Sequence, residues 1–225
     1  MIKKHRGYYL GLVGKYAHSH GLMREAEGLA AAINSIELTC EVYQCQSMIY
    51  YLQRDYISSD RIFRQILDAS HQLDGWYFKA NAFWGIGKNL MIQSQYNAAI
   101  PWLNEALEIF ESVNARLSVA TTWGELAVCY SGLGDNRRAL ALLEDALKIE
   151  AEAGTIGNYQ VGLANIGNVY FQRGDHLTAI SYYRRALELA REIKDPVSIE
   201  KWSHNIRVAY VKLCNAVDLP DSRSV

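Results

Sequence analysis

The chain has 225 residues, and half of them are hydrophobic, which supplies enough apolar surface for a continuous core. Its 23 basic and 24 acidic side chains leave a net charge of −1, so it has no bulk attraction for nucleic acid or for an anionic membrane. The four cysteines are sparse, which favours buried free thiols in a reducing compartment over a disulfide framework.

The sequence shows no sign of a targeting or membrane segment. The N-terminus lacks an apolar stretch followed by a small-residue cleavage site, and no apolar run approaches the roughly 18 residues of a membrane-spanning helix. We therefore expect a soluble, cytoplasmic protein that does not enter a membrane.

A pattern of small residues recurs along the chain with a step of 40 residues, except that the first copy precedes the second by 33 residues. The two clearest copies match as follows: Gly167 with Ala127, Tyr170 with Tyr130, Gly174-Asp175 with Gly134-Asp135, Ala179 with Ala139, and Ala186 with Ala146. In chain order, the pattern predicts five copies, near residues 7–39, 40–79, 80–119, 120–159 and 160–198.

Each copy has the pattern of two amphipathic helices. In the fifth copy, Ala179, Tyr183 and Ala186 are spaced at i, i+4 and i+7, which places them on one helical face. Gly174 suits a left-handed helix end, and Asp175 suits the N-cap of the following helix. No run of alternating β-branched residues predicts a strand, so the sequence indicates an all-α protein.

The C-terminal part of the chain predicts a capping helix and a tail. A helix over residues 199–215 would cover the open end of the repeats with one apolar face, formed by Ile199, Trp202, Ile206, Ala209, Tyr210 and Leu213. Residues 216–225 are polar and lack periodicity, so we expect a disordered tail. Residues 1–215 therefore form one predicted helical repeat domain.

These copies resemble the tetratricopeptide repeat (TPR). The copy at residues 120–153 carries Trp123, Leu126, Ala127, Tyr130, Gly134, Asp135, Ala139, Leu143 and Ala146. The copy at residues 160–193 carries Leu163, Ile166, Gly167, Tyr170, Gly174, Asp175, Ala179, Tyr183 and Ala186. The resemblance covers roughly residues 7–214. It implies an α-solenoid, a superhelix of stacked antiparallel helix pairs with about five repeats and a C-terminal capping helix.

The step between copies is longer than the roughly 34 residues of the common TPR, and the extra residues fall between one copy and the next. This length resembles the long-period repeats of bacterial regulatory proteins and is similar to that of kinesin light chains. In such bacterial proteins the array is often attached to an effector, such as a DNA-binding domain, an NTPase, a cyclase or a protease. We recognise no effector in this sequence.

No catalytic or metal-binding motif is recognisable. The stretch "GIGKNL" at residues 85–90 lacks the full spacing of a phosphate-binding loop and lies within a predicted helix. The sequence contains no HExxH and no paired CxxC motif, and His18 and His20 would point away from each other on a helix. We therefore expect no enzyme activity, no cofactor and no metal.

The resemblance implies that the first helix of each pair lines a concave groove. Large apolar residues at its groove positions, together with amides and a lysine near a predicted hollow between Trp84 and Phe171, give a candidate partner-binding set. The set is Met48, Tyr51, Trp84, Lys88, Met91, Asn165, Asn168 and Phe171. The alternative for Trp84 and Phe171 is burial in the core, and the alternative for Lys88 and Asn168 is ordinary solvent exposure.

We interpret the chain as a non-catalytic scaffold or adaptor that binds a protein or peptide segment in the concave groove. A second possibility is a ligand- or peptide-sensing regulatory domain that controls an effector on the same or another chain. An enzyme or a nucleic-acid binder is a third possibility, which the neutral charge and the lack of catalytic motifs disfavour. The partner's identity and the oligomeric state stay open.

Overall fold

Eleven α-helices account for nearly all of residues 2–217, which are the residues that this computed structural model describes, with side chains over residues 2–215. The helices are α1 (Ile2–Leu12), α2 (Tyr16–Ala32), α3 (Ile36–Leu52), α4 (Tyr56–Ser70), α5 (Tyr77–Ile92), α6 (Tyr96–Ser112), α7 (Arg116–Gly132), α8 (Asn136–Glu152), α9 (Ile156–Gln172), α10 (His176–Glu192) and α11 (Pro196–Val217). The described residues contain no strand. The protein is therefore all-α, and its helices follow one another as a repeat, as the sequence predicts.

Three-residue connections join most neighbouring helices, and their middle residue is left-handed. Between α9 and α10 this residue is Gly174, with a φ of 80°. The backbone N–H of Asp175 donates to the carbonyl of Tyr170 at 3.0 Å, and the Asp175 carboxylate accepts from the N–H of Thr178 at 3.1 Å. This arrangement ends one helix and caps the next, and it agrees with the interpretation of the Gly-Asp pair in the sequence.

The connection between α4 and α5 breaks this regularity. It has six residues, 71–76, and none of them is helical. Gly75 has a φ of 148°, which glycine adopts far more readily than other residues. Trp76 precedes α5 and makes no capping hydrogen bond with its side chain.

Internal contacts divide the chain into two compact units, residues 1–114 and residues 115–225. In the first unit, α1 packs against α2 and α3, and each helix from α2 to α5 packs against the one that follows it. Its buried core contains Met23, Ala26, Val42 and Ile49 in one cluster and Cys40, Ile62, Ile66 and Ala82 in another. Helix α5 approaches α6 closely at Gly87, where a Cβ atom would lie 2.7 Å from Leu103.

The second unit repeats this construction. Helix α7 packs against α8 and α9, and each helix from α8 to α10 packs against the one that follows it. Trp202 of α11 is 1% exposed and lies in the buried cluster of α9 and α10, so α11 covers the apolar side of α10. Tyr210 is 38% exposed and accepts a hydrogen bond from Arg184. Its predicted place in the apolar face was wrong, because it follows the buried Ala209 and lies beyond the edge of that face.

The observed helices begin a few residues ahead of the predicted repeat boundaries. Helices α3, α5, α7 and α9 begin at residues 36, 77, 116 and 156, whereas the sequence predicts repeats near residues 40, 80, 120 and 160. The exact division into repeats stays a prediction. The predicted tail at residues 216–225 lies outside the described residues, apart from the end of α11. Within the described residues, no helix has the length and apolar character needed to cross a membrane.

Candidate functional site

The first unit contains a cavity of about 800 Å³ between α3 and α5. Both helices pack against α4 and run in the same direction, because each is antiparallel to α4. We call this space the α3–α5 cavity. Its lining residues are Lys4 and Tyr8 of α1; Glu37, Glu41, Gln44, Cys45, Ser47, Met48 and Tyr51 of α3; Phe63 of α4; Leu73, Asp74 and Gly75 of the α4–α5 connection; and Tyr77, Phe78, Asn81, Trp84, Gly85 and Lys88 of α5.

Two local features shape the α3–α5 cavity. The six-residue connection contributes Leu73, Asp74 and Gly75 to the lining. The ring of Phe63 reaches α5 at Gly85, where a Cβ atom would lie only 2.3 Å from the ring. Glycine at this position therefore lets an aromatic ring of α4 form part of the cavity wall.

Four of the eight residues in the predicted binding set line this cavity: Met48, Tyr51, Trp84 and Lys88. Met48 is 38% exposed, and the other three are half-buried. The ammonium nitrogen of Lys88 lies 4.4 Å from the ring centroid of Trp84 and 5.4 Å from that of Tyr51. These cation–π contacts hold the lysine stem and the two rings together at one end of the cavity. Met91, the fifth predicted residue of this unit, is half-buried and does not line the cavity.

Charge is unevenly distributed in the lining. Lys4 is buried, and its ammonium group lies 2.5 Å from the carboxylate of Glu41. The carboxylates of Glu37 and Asp74 belong to exposed residues near the start of α3 and of α5. Burial raises the pKa of the Cys45 thiol, so this lining cysteine is a poor nucleophile near neutral pH.

The remaining three predicted residues, Asn165, Asn168 and Phe171, lie on α9 in the second unit and are half-buried. The hydroxyl of Tyr183 donates to Oδ1 of Asn168 at 2.7 Å, and burial raises the pKa of Tyr183 to about 12. This bond uses an acceptor site on the amide oxygen of Asn168 and neither of its two N–H donors.

Phe171 packs partly against the core of its unit, and its ring centroid lies 5.0 Å from that of His176. Ala164 is fully buried in the same core. The sequence predicts a hollow between Trp84 and Phe171, but these residues belong to different units, and the hollow stays a prediction.

Family comparison agrees with the repeated helix pairs. Models described as tetratricopeptide repeat match residues 78–150 and residues 161–192. The chain contains tetratricopeptide repeats. No curated protein sequence gives a significant match.

Solved structures share the TPR fold at low sequence identity. An aspartyl phosphate phosphatase F from Bacillus subtilis has a TM-score of 0.79 and 14% identity, with 92% of this chain and 54% of that chain covered. A Rap protein complexed with competence and sporulation factor has a TM-score of 0.72 and 20% identity, with 89% and 56% covered. YrrB, described as a TPR protein with an unusual peptide-binding site, has a TM-score of 0.52 and 15% identity, with 87% of each chain covered.

These likenesses establish the fold alone. The TPR protein described here spans little more than half the length of the phosphatase and of the Rap protein. In the part of the chain that the structure describes, no group of three or more His, Cys, Asp and Glu side chains is placed to hold a metal ion.

Several lining residues were not predicted from the sequence, because the predicted binding set contains only residues on the first helix of each TPR. Phe63 lies on a second helix, and Leu73, Asp74 and Gly75 lie in a connection. The signal that could have found them is the stretch "HQLDGW" at residues 71–76, which lengthens one connection while the others keep three residues. A longer connection at one joint favours a local opening between repeats.

Proposed function

We propose that this TPR protein is a non-catalytic binding module that holds a protein or peptide segment against the first helices of its repeats. The α3–α5 cavity is the principal site. The observation that carries the proposal is the 800 Å³ volume of this cavity, which brings Met48, Tyr51, Trp84 and Lys88 together.

The chemistry of the lining suits a peptide better than a reacting substrate. Apolar surface from Met48, Phe63 and Trp84 offers burial to ligand side chains, and methionine adapts its shape to different partners. Gln44 adds an amide that can both donate to and accept from a peptide backbone, and Asn81, whose NH₂ group already donates to the carbonyl of Tyr77 at 2.7 Å, adds an acceptor oxygen. The cavity size falls within the range of pockets that enclose small ligands or a few peptide residues.

The second unit offers a smaller set of contacts. The NH₂ group of Asn168 is oriented by the bond from Tyr183, so it is prepared to donate to a carbonyl oxygen of a bound segment. Asn165 and Phe171 lie on the same helix, but part of the Phe171 side chain packs against the core and is not available to a ligand. We therefore assign the second unit a supporting role, and the α3–α5 cavity supplies most of the affinity.

Two of the similar structures are described with a peptide-binding site or a bound factor, which supports a binding role for this chain. YrrB is described as having a peptide-binding site, and the Rap protein is complexed with competence and sporulation factor. A second candidate function is a sensing domain that controls an effector when a ligand binds. A signal transduction ATPase described as having a tetratricopeptide repeat sensor shares the fold, which favours this candidate as an elaboration of the binding role.

The proposal is tested by selecting peptides on the purified chain from a random phage-displayed library and measuring their dissociation constants by fluorescence anisotropy. Met48→Ala and Trp84→Ala should each weaken binding about tenfold or more, because central aromatic and apolar anchors dominate such interfaces. Ile57→Ala is the matched control, since Ile57 is 80% exposed on α4 and does not line the cavity.

Circular dichroism checks that every variant keeps its helical content. If selection yields no peptide, or if selected peptides bind both cavity variants as tightly as the wild type, the α3–α5 cavity is not the binding site. A ligand-dependent change in the solution-scattering profile would favour the sensing candidate.

A further inference from the structure

We propose that the α3–α5 cavity selects segments in which a basic residue neighbours apolar residues, with the cationic group held between Glu37 and Asp74. This inference rests on the proposed function, because it specifies the chemistry of the segment that the cavity holds. It follows from the charges that line the cavity and from their order along its length.

The lining contains three carboxylates and two ammonium groups, and they do not all remain available to a ligand. Glu41 is neutralised by the buried Lys4 at 2.5 Å. The ammonium group of Lys88 already lies over the rings of Tyr51 and Trp84. A cation–π contact leaves the charge of Lys88 in place, so the lining carries one cationic group at Lys88 and two carboxylates, of Glu37 and Asp74, that are not paired with Lys4.

These two carboxylates share one end of the cavity. Glu37 is the second residue of α3, and Asp74 lies in the connection three residues ahead of α5. Because α3 and α5 run in the same direction, their first turns lie at the same end of the cavity. Tyr51 and Lys88 lie near the opposite end, about 20 Å away along the helix axis at 1.5 Å per residue.

Apolar side chains occupy the space between the two ends. Phe78 lies near the acidic end, Phe63 meets α5 at Gly85, and Met48 and Trp84 lie toward Tyr51 and Lys88, so a ligand buries hydrocarbon along the cavity. An extended peptide advances about 3.3 Å per residue, so a segment of about six residues spans the cavity. A segment that fits this order carries Lys, Arg or a free amino terminus at the acidic end and apolar side chains beside it.

Helix stabilisation explains only one of the two carboxylates. Glu37 lies in the first turn of α3, where a negative charge interacts favourably with the helix dipole. Asp74 has no such role, because Trp76 is the N-cap residue of α5 and Asp74 lies in the preceding irregular connection. The Asp74 carboxylate therefore does not serve helix stability, and it faces solvent or a ligand at this end of the cavity.

The test uses the full chain and a random hexapeptide library displayed on phage, selected in parallel on the wild type and on the double variant Glu37→Gln/Asp74→Asn. Peptides selected on the wild type should be enriched both in Lys or Arg and in large apolar residues. On the double variant, the enrichment in basic residues should disappear while the apolar enrichment stays. Both substitutions keep the side-chain shape, so the cavity itself is unchanged.

The best basic hexapeptide is then synthesised and titrated against each variant. The double variant should bind it about three- to tenfold more weakly, as expected for two partly screened ion pairs, and added salt should narrow the difference. Asp68→Asn is the matched control, because Asp68 is an exposed acid of α4 in the same unit that does not line the cavity. It should leave the affinity within twofold.

The outcomes separate this inference from the proposed function. Apolar enrichment without basic enrichment on the wild type would overturn the inference and leave peptide binding intact. Enrichment in acidic residues would overturn it as well and would assign the recognition to Lys88. Failure to select any peptide would overturn both proposals together.

Discussion

Glu150 provides the sharpest prediction about stability in the second unit. It lies in the last turns of α8 and is only 5% exposed, and its Oε2 atom has no hydrogen-bond partner among the described residues. Helix α9 passes close to this carboxylate at Gly162, where a Cβ atom would lie 3.2 Å from Oε2. Burial raises the pKa of Glu150 to about 7, from 4.5 for a free side chain.

The raised pKa fixes the sign of the effect of pH. Below pH 4.5 the carboxyl is protonated in both the folded and the unfolded chain, so it has no influence on their balance. Between pH 4.5 and 7 the unfolded chain releases the proton more readily than the folded chain, so rising pH favours unfolding. Above pH 7 the penalty is constant. At 1.36 kcal/mol per pKa unit, and after allowance for partial solvent screening, it amounts to about 1–2 kcal/mol.

The assay compares urea unfolding of the wild type and of Glu150→Gln, followed by circular dichroism at pH values from 4 to 9. The free energy of unfolding of the variant relative to the wild type should rise by about 1–2 kcal/mol between pH 4 and pH 8. Any constant cost of the new amide cancels in this difference. If the free energy of unfolding depends on pH in the same way for both proteins, the pKa of Glu150 is not raised. If the variant loses stability relative to the wild type as the pH rises, the predicted sign is wrong.

Three further predictions concern packing and turns. Gly85→Ala should destabilise the protein by about 1–3 kcal/mol in thermal or urea unfolding, because the new Cβ would meet the ring of Phe63 at 2.3 Å. Gly124→Ala is its control, since no described atom beyond its own stretch of helix lies within 4 Å of that Cβ, and it should stabilise the helix by about 0.5–1 kcal/mol. Lys194→Gly should raise stability by about 0.5–1 kcal/mol, since Lys194 has a φ of 55°; unchanged stability would show that this turn carries no strain. Tyr183→Phe should lower the free energy of unfolding by about 0.5–1.5 kcal/mol, because it removes the 2.7 Å hydrogen bond to Asn168. An unchanged urea midpoint would show that this hydrogen bond does not contribute to stability.

The helix pairs were predictable from the sequence because their signals are local. The Gly-Asp step at Gly174 and Asp175 specifies a left-handed turn followed by an N-cap, and both features occur in the structure. Small residues such as Gly167 mark places where a neighbouring ring must approach closely. These constraints act within one or two turns of helix, so a single sequence reveals them.

The α3–α5 cavity was only partly predictable. Periodicity selects residues such as Met48 and Trp84, which the structure brings together in the lining. It does not reveal that Phe63 reaches across to Gly85, because that contact joins two repeats. It also gives no weight to Asp74, which lies in a connection outside any helical pattern.

In the second unit, the sequence predicts candidate residues but not their contacts with the core. Asn168 carries a hydrogen bond from the buried Tyr183, fifteen residues further along the chain, and helical spacing alone does not disclose this bond. Phe171 divides its surface between the core and the exterior, so neither interpretation of the sequence describes it fully.

The most direct test of the central claim is photo-crosslinking from the cavity to a bound peptide. A benzophenone amino acid is introduced at position 48, in the lining, or at position 57, on the exposed side of α4, and each protein is irradiated with the best selected peptide. Occupation of the α3–α5 cavity predicts a strong crosslink from position 48 that excess unlabelled peptide suppresses, with little from position 57. A crosslink from position 57 alone, or equal crosslinking from both positions, would contradict the claim.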